Sequence, residues 1–443
     1  MRLKTLRLHN FRRFIGAHEC EMHGSLTVFA ANNGAGKSSI LDAIALAFGP
    51  FLTRLPKISG NAPVDSDVCI QRKKDEPFAL IGARTYGDKE WPKKSEVIDT
   101  SIEWDRIKRL SNSSGHLRNV SKALKGYNIH GLTDINTLAD YFISKEESDV
   151  FFPILAYYGT GRAVIDVPQR RRGFGKEFPR FQAYADCLNP KTNFRKLFEY
   201  FYYLEDLERR EKEQAKDWDH QNAQLAAIRT AINSFLPEYT RPRTELKPLR
   251  FIMDSTKDGC AYDIKLLSDG YKTSLAMVMD IAMRMVEANP KMGREALQSP
   301  GIVLIDEIEL HLHPSWQQRI ILDLQRTFPN VQFICTTHSP QVLSTVRPES
   351  IRTIHEDGRI TSPTCKTYGA ESKRVLEELM GVDSRPPILE KELEEFVRIT
   401  DAGDWQSTRY HELRKLLDAE LGPSDPALMN AEIKRTFQQL SAE

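Results

Sequence analysis

The sequence predicts an α/β fold built on a parallel sheet, and three segments predict it. Leu26–Ala30, Ile302–Ile305 and Val331–Thr337 are short, largely apolar runs of strand-forming residues. Such runs without polar alternation are typical of strands that are buried on both faces. Each run leads into polar or charged residues. Because ligands in open α/β sheets bind outside the carboxyl ends of the strands, these polar residues are candidates for one shared site.

Length and composition indicate an ordinary globular protein. The 443 residues are enough for two or three domains, with 40% hydrophobic and 28% charged residues. A formal net charge of +1 argues against a strongly basic nucleic-acid binder, although a local basic face is compatible with it. The sequence has no long apolar stretch, no secretory signal at its start and six cysteines without a CxxC pair. It therefore predicts a cytoplasmic protein with free thiols and no membrane span.

A glycine-rich loop follows the first apolar run. Residues 31–38 match the pattern GxxxxGKS except that Ala31 replaces the first glycine. A helical pattern follows, so the order strand, loop, helix favours a phosphate-binding loop over a chance glycine-rich turn. Lys37 would contact the β- and γ-phosphates of a nucleotide, and Ser38 would reach Mg²⁺. The predicted nucleotide contacts in this loop are Asn32, Asn33, Gly34, Ala35, Gly36, Lys37, Ser38 and Ser39.

Acidic residues and a histidine end the other two runs. Asp306 can hold Mg²⁺ and Glu307 can polarise an attacking water, although an acidic helix start would give the same pattern. His338 follows Val331–Thr337 and can position that water, whereas a histidine satisfied inside the core is the alternative. Further upstream, Leu267–Tyr271 (LSDGY) precedes a strongly apolar helix. An ordinary capped helix start explains that motif equally well when it is taken alone.

These motifs together resemble the ABC-type ATPase heads of the RecF, Rad50, SMC and OLD-like group. The resemblance rests on LKTLRLHNFRRF at the start, AxNGAGKSS, LSDGY, the Asp306–Glu307 pair and ELHLHP. It implies a parallel core sheet flanked by helices, an antiparallel β-layer, a short helical arm and a C-terminal helical tail. It also implies a homodimer, or a higher oligomer of dimers, that holds Mg²⁺ and ATP between two heads. Ser268 and Gly270 of one head would then close the site formed by Lys37 of the other.

The same resemblance suggests how the chain is divided. We expect an N-terminal ATPase lobe at 1–190, a helical arm at 191–245, a C-terminal lobe at 246–370 and a helical tail at 371–443 that could dock a partner. The antiparallel layer would include strands at Ala79–Arg84 and Thr100–Trp104. The helical pattern in the arm, from Phe194 to about Phe235, covers roughly 40 residues and is too short for a long coiled-coil tether. Members of the OLD-like branch carry a Toprim nuclease domain after the ATPase. We expect none here, because the tail is short for such a domain and Asp401–Asp404 has the wrong spacing for its acidic cluster.

The sequence shows no second set of catalytic residues, so we expect the biological effect of the ATPase to be exerted by a partner protein. The whole chain resembles stand-alone ATPases of bacterial antiphage operons, especially the Septu PtuA subunit, which works with an HNH nuclease. The leading interpretation is an ATPase that regulates such a nuclease, triggered by DNA or a phage-derived signal. The alternatives are a RecF-like repair ATPase that binds DNA itself, and a scaffold whose site is inactive.

Four weaker patterns remain. The basic stretch Arg170–Arg180 could contact nucleic acid, but a solvated loop is favoured. The aromatic run Phe198–Tyr203 is interpreted as a packing face. His311 and His313 could bind a metal, but the interface loop of the resembling heads already accounts for them. Arg162 and Gln169 are candidates for the loop that senses Mg²⁺ and water in those heads.

Overall fold

Five parallel strands and one antiparallel edge strand form the central sheet of the computed structural model. The structure describes residues 1–69, 78–87, 101–110, 129–162, 179–190, 195–245 and 250–440. With strands numbered in chain order, the sheet runs β13-β12-β3-β11-β10-β6, and only β13 is antiparallel. Its strands are β3 (Leu26–Ala30), β6 (Ile154–Tyr158), β10 (Gly301–Ile305), β11 (Val331–Thr337), β12 (Ile351–Ile354) and β13 (Ile360–Thr361). Every residue of β3, β6, β10 and β11 is buried, so the predicted parallel core is confirmed.

A four-stranded antiparallel sheet forms the predicted second layer. Its order is β2-β1-β4-β5, with β1 at Leu3–Phe11, β2 at Phe14–Glu21, β4 at Phe78–Thr85 and β5 at Glu103–Arg109. The strand expected at Thr100–Trp104 therefore begins only at Glu103. Gln332 of β11 links the two sheets, because its side-chain amide accepts from Leu3 N at 2.7 Å and donates to Leu3 O at 2.7 Å.

The helical arm consists of two helices joined by a short turn. They span Arg195–Ala215 and Ala223–Phe235, and Asn222 caps the second helix by accepting from the amides of residues 224 and 225. Phe198 and Phe201 pack edge-on against Phe251, so the aromatic run is a packing face as predicted. A small antiparallel sheet follows, which the sequence analysis did not predict. Its strands are β7 (Tyr239–Glu245), β8 (Arg250–Ser255) and β9 (Ala261–Asp263).

The remaining helices of the first compact unit, Met1–Ala370, mostly connect the strands of the central sheet. They span Lys37–Ala47, Gly49–Arg54, Thr133–Ser144, Asp269–Ala288, Pro314–Gln317, Ile320–Thr327 and Pro340–Leu343. Asp269–Ala288 is largely buried and is fixed to the sheet by a buried polar triad. Asp280 accepts from Tyr158 Oη at 2.7 Å and from Arg284 Nε at 2.8 Å. Arg284 also donates to Ala183 O at 2.7 Å, so the buried guanidinium has a carboxylate and a main-chain carbonyl as partners.

The second compact unit is Glu371–Glu443. Its helices span Ser372–Glu378, Pro387–Asp401, Thr408–Leu421 and Pro426–Leu440. They enclose a core of their own, which includes Phe396, Tyr410, Leu413, Leu417 and Leu428. The last helix leaves several large apolar side chains exposed, namely Met429, Ile433, Phe437 and Leu440. These four side chains border a depression of about 300 Å³.

The limits of the first unit's predicted parts, 1–190, 191–245 and 246–370, stay predictions. One of those limits falls between two paired strands, because Glu245 of β7 is opposite Arg250 of β8. Among the described residues, no helix combines the length and the apolar character that crossing a membrane requires.

Candidate active site

Four adjacent strands of the central sheet bring the candidate residues to one edge. The glycine-rich loop follows β3, His338 follows β11, and Asp306 and Glu307 follow β10. Arg162 comes shortly after β6. Since β3, β11, β10 and β6 are neighbours and parallel, these residues emerge side by side at the carboxyl edge.

Two glycines give the loop its curvature. Gly34 and Gly36 have φ angles of 74° and 97°, a region that L side chains rarely adopt. A Cβ on Gly36 would also lie 2.6 Å from Cδ of Arg13, whose guanidinium donates to Gly34 O. Gly36 is the N-cap of the helix Lys37–Ala47, and no side chain caps that helix in the described part of the chain. The helix therefore presents its N-terminal amides at the loop, which is an arrangement suited to anions.

Lys37 is buried at the centre of this edge. Its ammonium donates to Ala31 O at 2.8 Å and Asn32 O at 3.2 Å, and it lies 3.5 Å from Nδ1 of His338. Burial lowers the pKa of Lys37 from its ordinary value, and three nearby carboxylates oppose that shift. Of the other loop residues, Asn32, Asn33, Gly34 and Ser38 are exposed, Ser39 is half-buried and Ala35 is buried.

A chain of hydrogen bonds connects the loop to the acidic pair. Ser38 Oγ donates to Asp306 Oδ2 at 2.7 Å, and Thr336 Oγ1 donates to Asp306 Oδ1 at 2.5 Å. Thr336 Oγ1 also accepts from Glu307 N at 2.7 Å. A hydroxyl and a carboxylate oxygen are ligand types that Mg²⁺ takes in proteins, so Ser38 and Asp306 fit a magnesium ion. Thr336, which the sequence analysis did not select, fixes the carboxylate of Asp306.

Glu307 occupies an unusual backbone conformation that a buried arginine supports. Its φ is 47°, in the left-handed region that costs free energy for a residue with a side chain. The Arg162 guanidinium donates to Asp306 O at 2.6 Å and Glu307 O at 2.7 Å. Arg162 thus stabilises the turn through main-chain carbonyls, a role different from the magnesium-sensing one considered from the sequence. Gln169, the other candidate for that role, lies outside the described residues.

A second carboxylate holds His338. Glu309 Oε1 accepts from His338 N at 2.5 Å, and its Oε2 accepts from Thr337 Oγ1 at 2.7 Å. Burial lowers the pKa of His338 from its ordinary value, and the Lys37 cation lowers it further, while the nearby carboxylates oppose both. The sequence analysis missed Glu309. The signal that could have revealed it is its place in the Asp-Glu-Ile-Glu run directly after β10.

The signature turn, Leu267–Tyr271, lies at the start of the helix Asp269–Ala288. Ser268 is exposed at the N-cap position, yet its side chain makes no capping hydrogen bond within the described chain. Gly270 packs so closely that an added Cβ would lie 2.4 Å from the carbonyl oxygen of His311. Tyr271 packs against Trp316 with ring centroids 4.3 Å apart. The turn is therefore fixed to the loop that follows β10, while the side chain of Ser268 is exposed.

Two alternatives were considered from the sequence, a metal site at His311 and His313 and a nucleic-acid contact at Arg170–Arg180, and the described residues support neither. His311 and His313 are both exposed, and His313 accepts from Ser315 N as the cap of a short helix. The described residues contain no cluster of three His, Cys, Asp or Glu side chains that could hold a metal. Most of Arg170–Arg180 lies outside the described residues. Arg180 itself is buried, where it donates to main-chain carbonyls such as Glu146 O and stacks on Phe152.

Comparison with known protein families shows to which family this chain belongs. Residues 32–344 match the family described as "AAA domain, putative AbiEii toxin, Type IV TA system". The chain belongs to this family. The match begins within the glycine-rich loop and ends just after His338, so it contains the acidic pair and the signature turn as well.

Similar proteins carry names that agree with the family. The "Retron Ec83 probable ATPase" of Escherichia coli is 30% identical over 98% of this chain and 86% of its own length. A Septu protein PtuA of Bacillus thuringiensis is 30% identical over 40% of this chain and 46% of its own length. Among solved structures, the SMC head domain from Thermotoga maritima is 14% identical, covering 82% of this chain and all of its own, with a TM-score of 0.44. The predicted resemblance to PtuA-like ATPases is confirmed, and the chain is a member of an ATPase family.

Proposed function

We propose that this protein binds and hydrolyses Mg-ATP between two copies of itself and thereby regulates a partner nuclease in bacterial antiphage defence. The main support for the proposal is that four side chains lie together at one edge of the sheet. Lys37 lies beside His338, and Ser38 is hydrogen-bonded to Asp306. A lysine, a hydroxyl, a carboxylate and a histidine in this arrangement provide the groups that phosphoryl transfer to water requires.

Each residue has a separate task. Lys37 and the amides of residues 32–39 bind the phosphates, and Ser38 with Asp306 holds the metal. Mg²⁺, when bound, supplies charge neutralisation at the phosphates. Glu307 accepts hydrogen bonds from the attacking water and polarises it, and His338 positions that water beside the terminal phosphate.

The signature turn supports the requirement for a second copy. Ser268 is exposed and makes no capping bond, although it begins a long and largely buried helix. A second head would place the Ser268 hydroxyl and the amide of Gly270 against the phosphate held by the first. ATP would then join the heads reversibly, since the bonds to its terminal phosphate are lost on hydrolysis.

The variant Glu307→Gln tests this mechanism. Expressed with its neighbouring operon genes, it should bind ATP normally, hydrolyse it roughly a hundredfold more slowly and remain assembled. Glu295→Gln, at an exposed position, is the matched control and should behave like the parent protein. Dissociation of the Glu307→Gln complex on addition of ATP would show that Glu307 has a different role.

The exposed face of the last helix supports a docked partner, which we propose is a nuclease of the HNH type. Ile433 is 51% exposed in this face, and Leu322, on a helix of the first unit, is also 51% exposed. Ile433→Lys should abolish co-purification with the co-expressed nuclease, whereas Leu322→Lys should not. Retention of the nuclease by both variants would exclude docking on this face. Tight, salt-sensitive DNA binding by the isolated ATPase would instead favour the RecF-like alternative.

A further inference from the structure

The most informative contact outside the predicted set is the one that Glu309 makes with the end of β11. Its two carboxylate oxygens accept from two consecutive residues, His338 through its main-chain amide and Thr337 through its hydroxyl. A carboxylate is suited to this task, because both oxygens accept hydrogen bonds and its charge strengthens them. The position of His338 is thus defined by a side chain from the loop that follows the neighbouring strand, β10.

Glu309 itself belongs to a tightly folded loop. Leu310 N donates to Glu307 O at 2.9 Å, and Leu312 N donates to Glu309 O at 2.9 Å. Glu307 and His311 both have positive φ angles, 47° and 63°. These bends hold the loop in one defined shape, and its far side, at His311 O, contacts Gly270 of the signature turn.

We propose that Glu309 is a positioning residue for His338, which it fastens to the loop that contacts the signature turn. The proposal rests on the function proposed above and deepens it, because it assigns a device that aligns the water-positioning histidine. Glu309 acts through the main chain of His338 and does not touch the nucleotide. The carboxylate therefore ties the position of His338 to the loop that lies against Gly270.

A double-mutant cycle on turnover distinguishes positioning from general structural support. Glu309→Ala and His338→Ala should each lower kcat with little change in KM for ATP. The double variant should have the same kcat as His338→Ala alone. Its kcat should therefore be about tenfold higher than the value expected if the two single effects multiplied. Glu309→Gln should be intermediate, because its amide offers one acceptor oxygen where the carboxylate offers two.

Asp105 provides a matched control. Its carboxylate also accepts from a main-chain amide, His130 N at 2.7 Å, and from a side chain, Arg7 at 2.9 Å, but it lies in the antiparallel sheet. Asp105→Asn combined with His338→Ala should give the simple product of the two single effects. The same multiplicative result for Glu309→Ala with His338→Ala would overturn the proposal.

Amide hydrogen exchange gives a second readout that does not depend on turnover. In Glu309→Ala the His338 amide loses its acceptor, so the peptide that covers residues 333–343 should exchange faster without ATP, with unchanged exchange in the antiparallel sheet. Unchanged exchange at that peptide would also overturn the proposal. If the parent protein hydrolyses no ATP with any partner, the proposed function fails, and the exchange result still decides the role of Glu309.

Discussion

Two turns of the candidate site, the glycine-rich loop and the signature turn, each begin a helix that no side chain caps in the described part of the chain, and the two differ in how their polar groups are used. At the glycine-rich loop, Lys37 and Ser38 are already bonded within the chain, to Ala31 O and to Asp306. At the signature turn, Ser268 is exposed and its side chain makes no capping bond. The glycine-rich loop is thus supported by bonds within the chain, whereas the signature turn leaves its serine exposed, as the proposed contact with a second copy requires.

This difference predicts which step a substitution in each turn should impair. A change in the glycine-rich loop should impair nucleotide binding by a single copy. A change in the signature turn should leave that binding intact and impair only what two copies do together. Three substitutions test this separation, and a pH profile tests the histidine of the same site, in order from the largest expected effect to the smallest.

Lys37→Ala should give the largest effect. It removes a buried cation that the carbonyl oxygens of Ala31 and Asn32 hold at the loop, so ATP affinity should fall by roughly a hundredfold. Calorimetric titration of ATP into the protein, compared with Lys257→Ala at an exposed position, measures the loss. An unchanged affinity would mean that the loop does not hold the phosphates.

Ser268→Arg should lower turnover by about tenfold or more while ATP affinity at low protein concentration stays at the parental value. The bulky cation would prevent a second copy from approaching the signature turn. Ser144→Arg, at an exposed serine on another helix, serves as the control. The comparison between the two turns fails if Ser268→Arg weakens ATP binding as strongly as Lys37→Ala.

Gly270→Ala should have a smaller effect that reveals the contact with His311. Alanine favours a helix by up to about 1 kcal/mol over glycine, yet its Cβ would lie 2.4 Å from a main-chain oxygen. We expect the free energy of unfolding to fall by about 1 kcal/mol, with turnover reduced only a few-fold. Gly24→Ala, where the nearest side-chain atoms are 4.0 Å away, should show neither loss. Denaturant unfolding and turnover assays measure both.

The smallest effect concerns pH. Burial and Lys37 lower the pKa of His338, so its ring loses the proton at a lower pH than free imidazole. If the neutral ring positions the water, kcat/KM should stay level as pH falls through about 6.5 and decline only below it. The decline should be absent in His338→Asn. A decline that begins above pH 6.5 would show that another group controls it.

Much of this architecture could be predicted because its signals are local. β3 and β11 have the predicted limits, since a buried strand needs only a short apolar run. The small sheet β7-β8-β9 escaped prediction because its strands are half-exposed and rich in charge, and β7 contains Pro242. Such strands depend on their neighbours more than on an alternating pattern of their own.

The supporting residues of the site were harder to find for a related reason. Lys37 and Asp306 belong to motifs whose chemistry follows from their order in the chain. Three separate strands, or the loops directly after them, place Arg162, Glu309 and Thr336 beside the main chain of other site residues. Their supporting roles depend on these contacts. Their partners are far apart in sequence, so no spacing predicts the contact.

The triad of Tyr158, Asp280 and Arg284 has a consequence for how this sequence can diverge. All three side chains are enclosed in the core, and two of them donate to the same carboxylate oxygen. Replacing Asp280 or Arg284 would leave an enclosed charge without its counterpart, and replacing Tyr158 would remove one donor from the enclosed carboxylate; each change is costly. We therefore expect these three positions to covary among related sequences, so that all three residues are kept or all three are replaced.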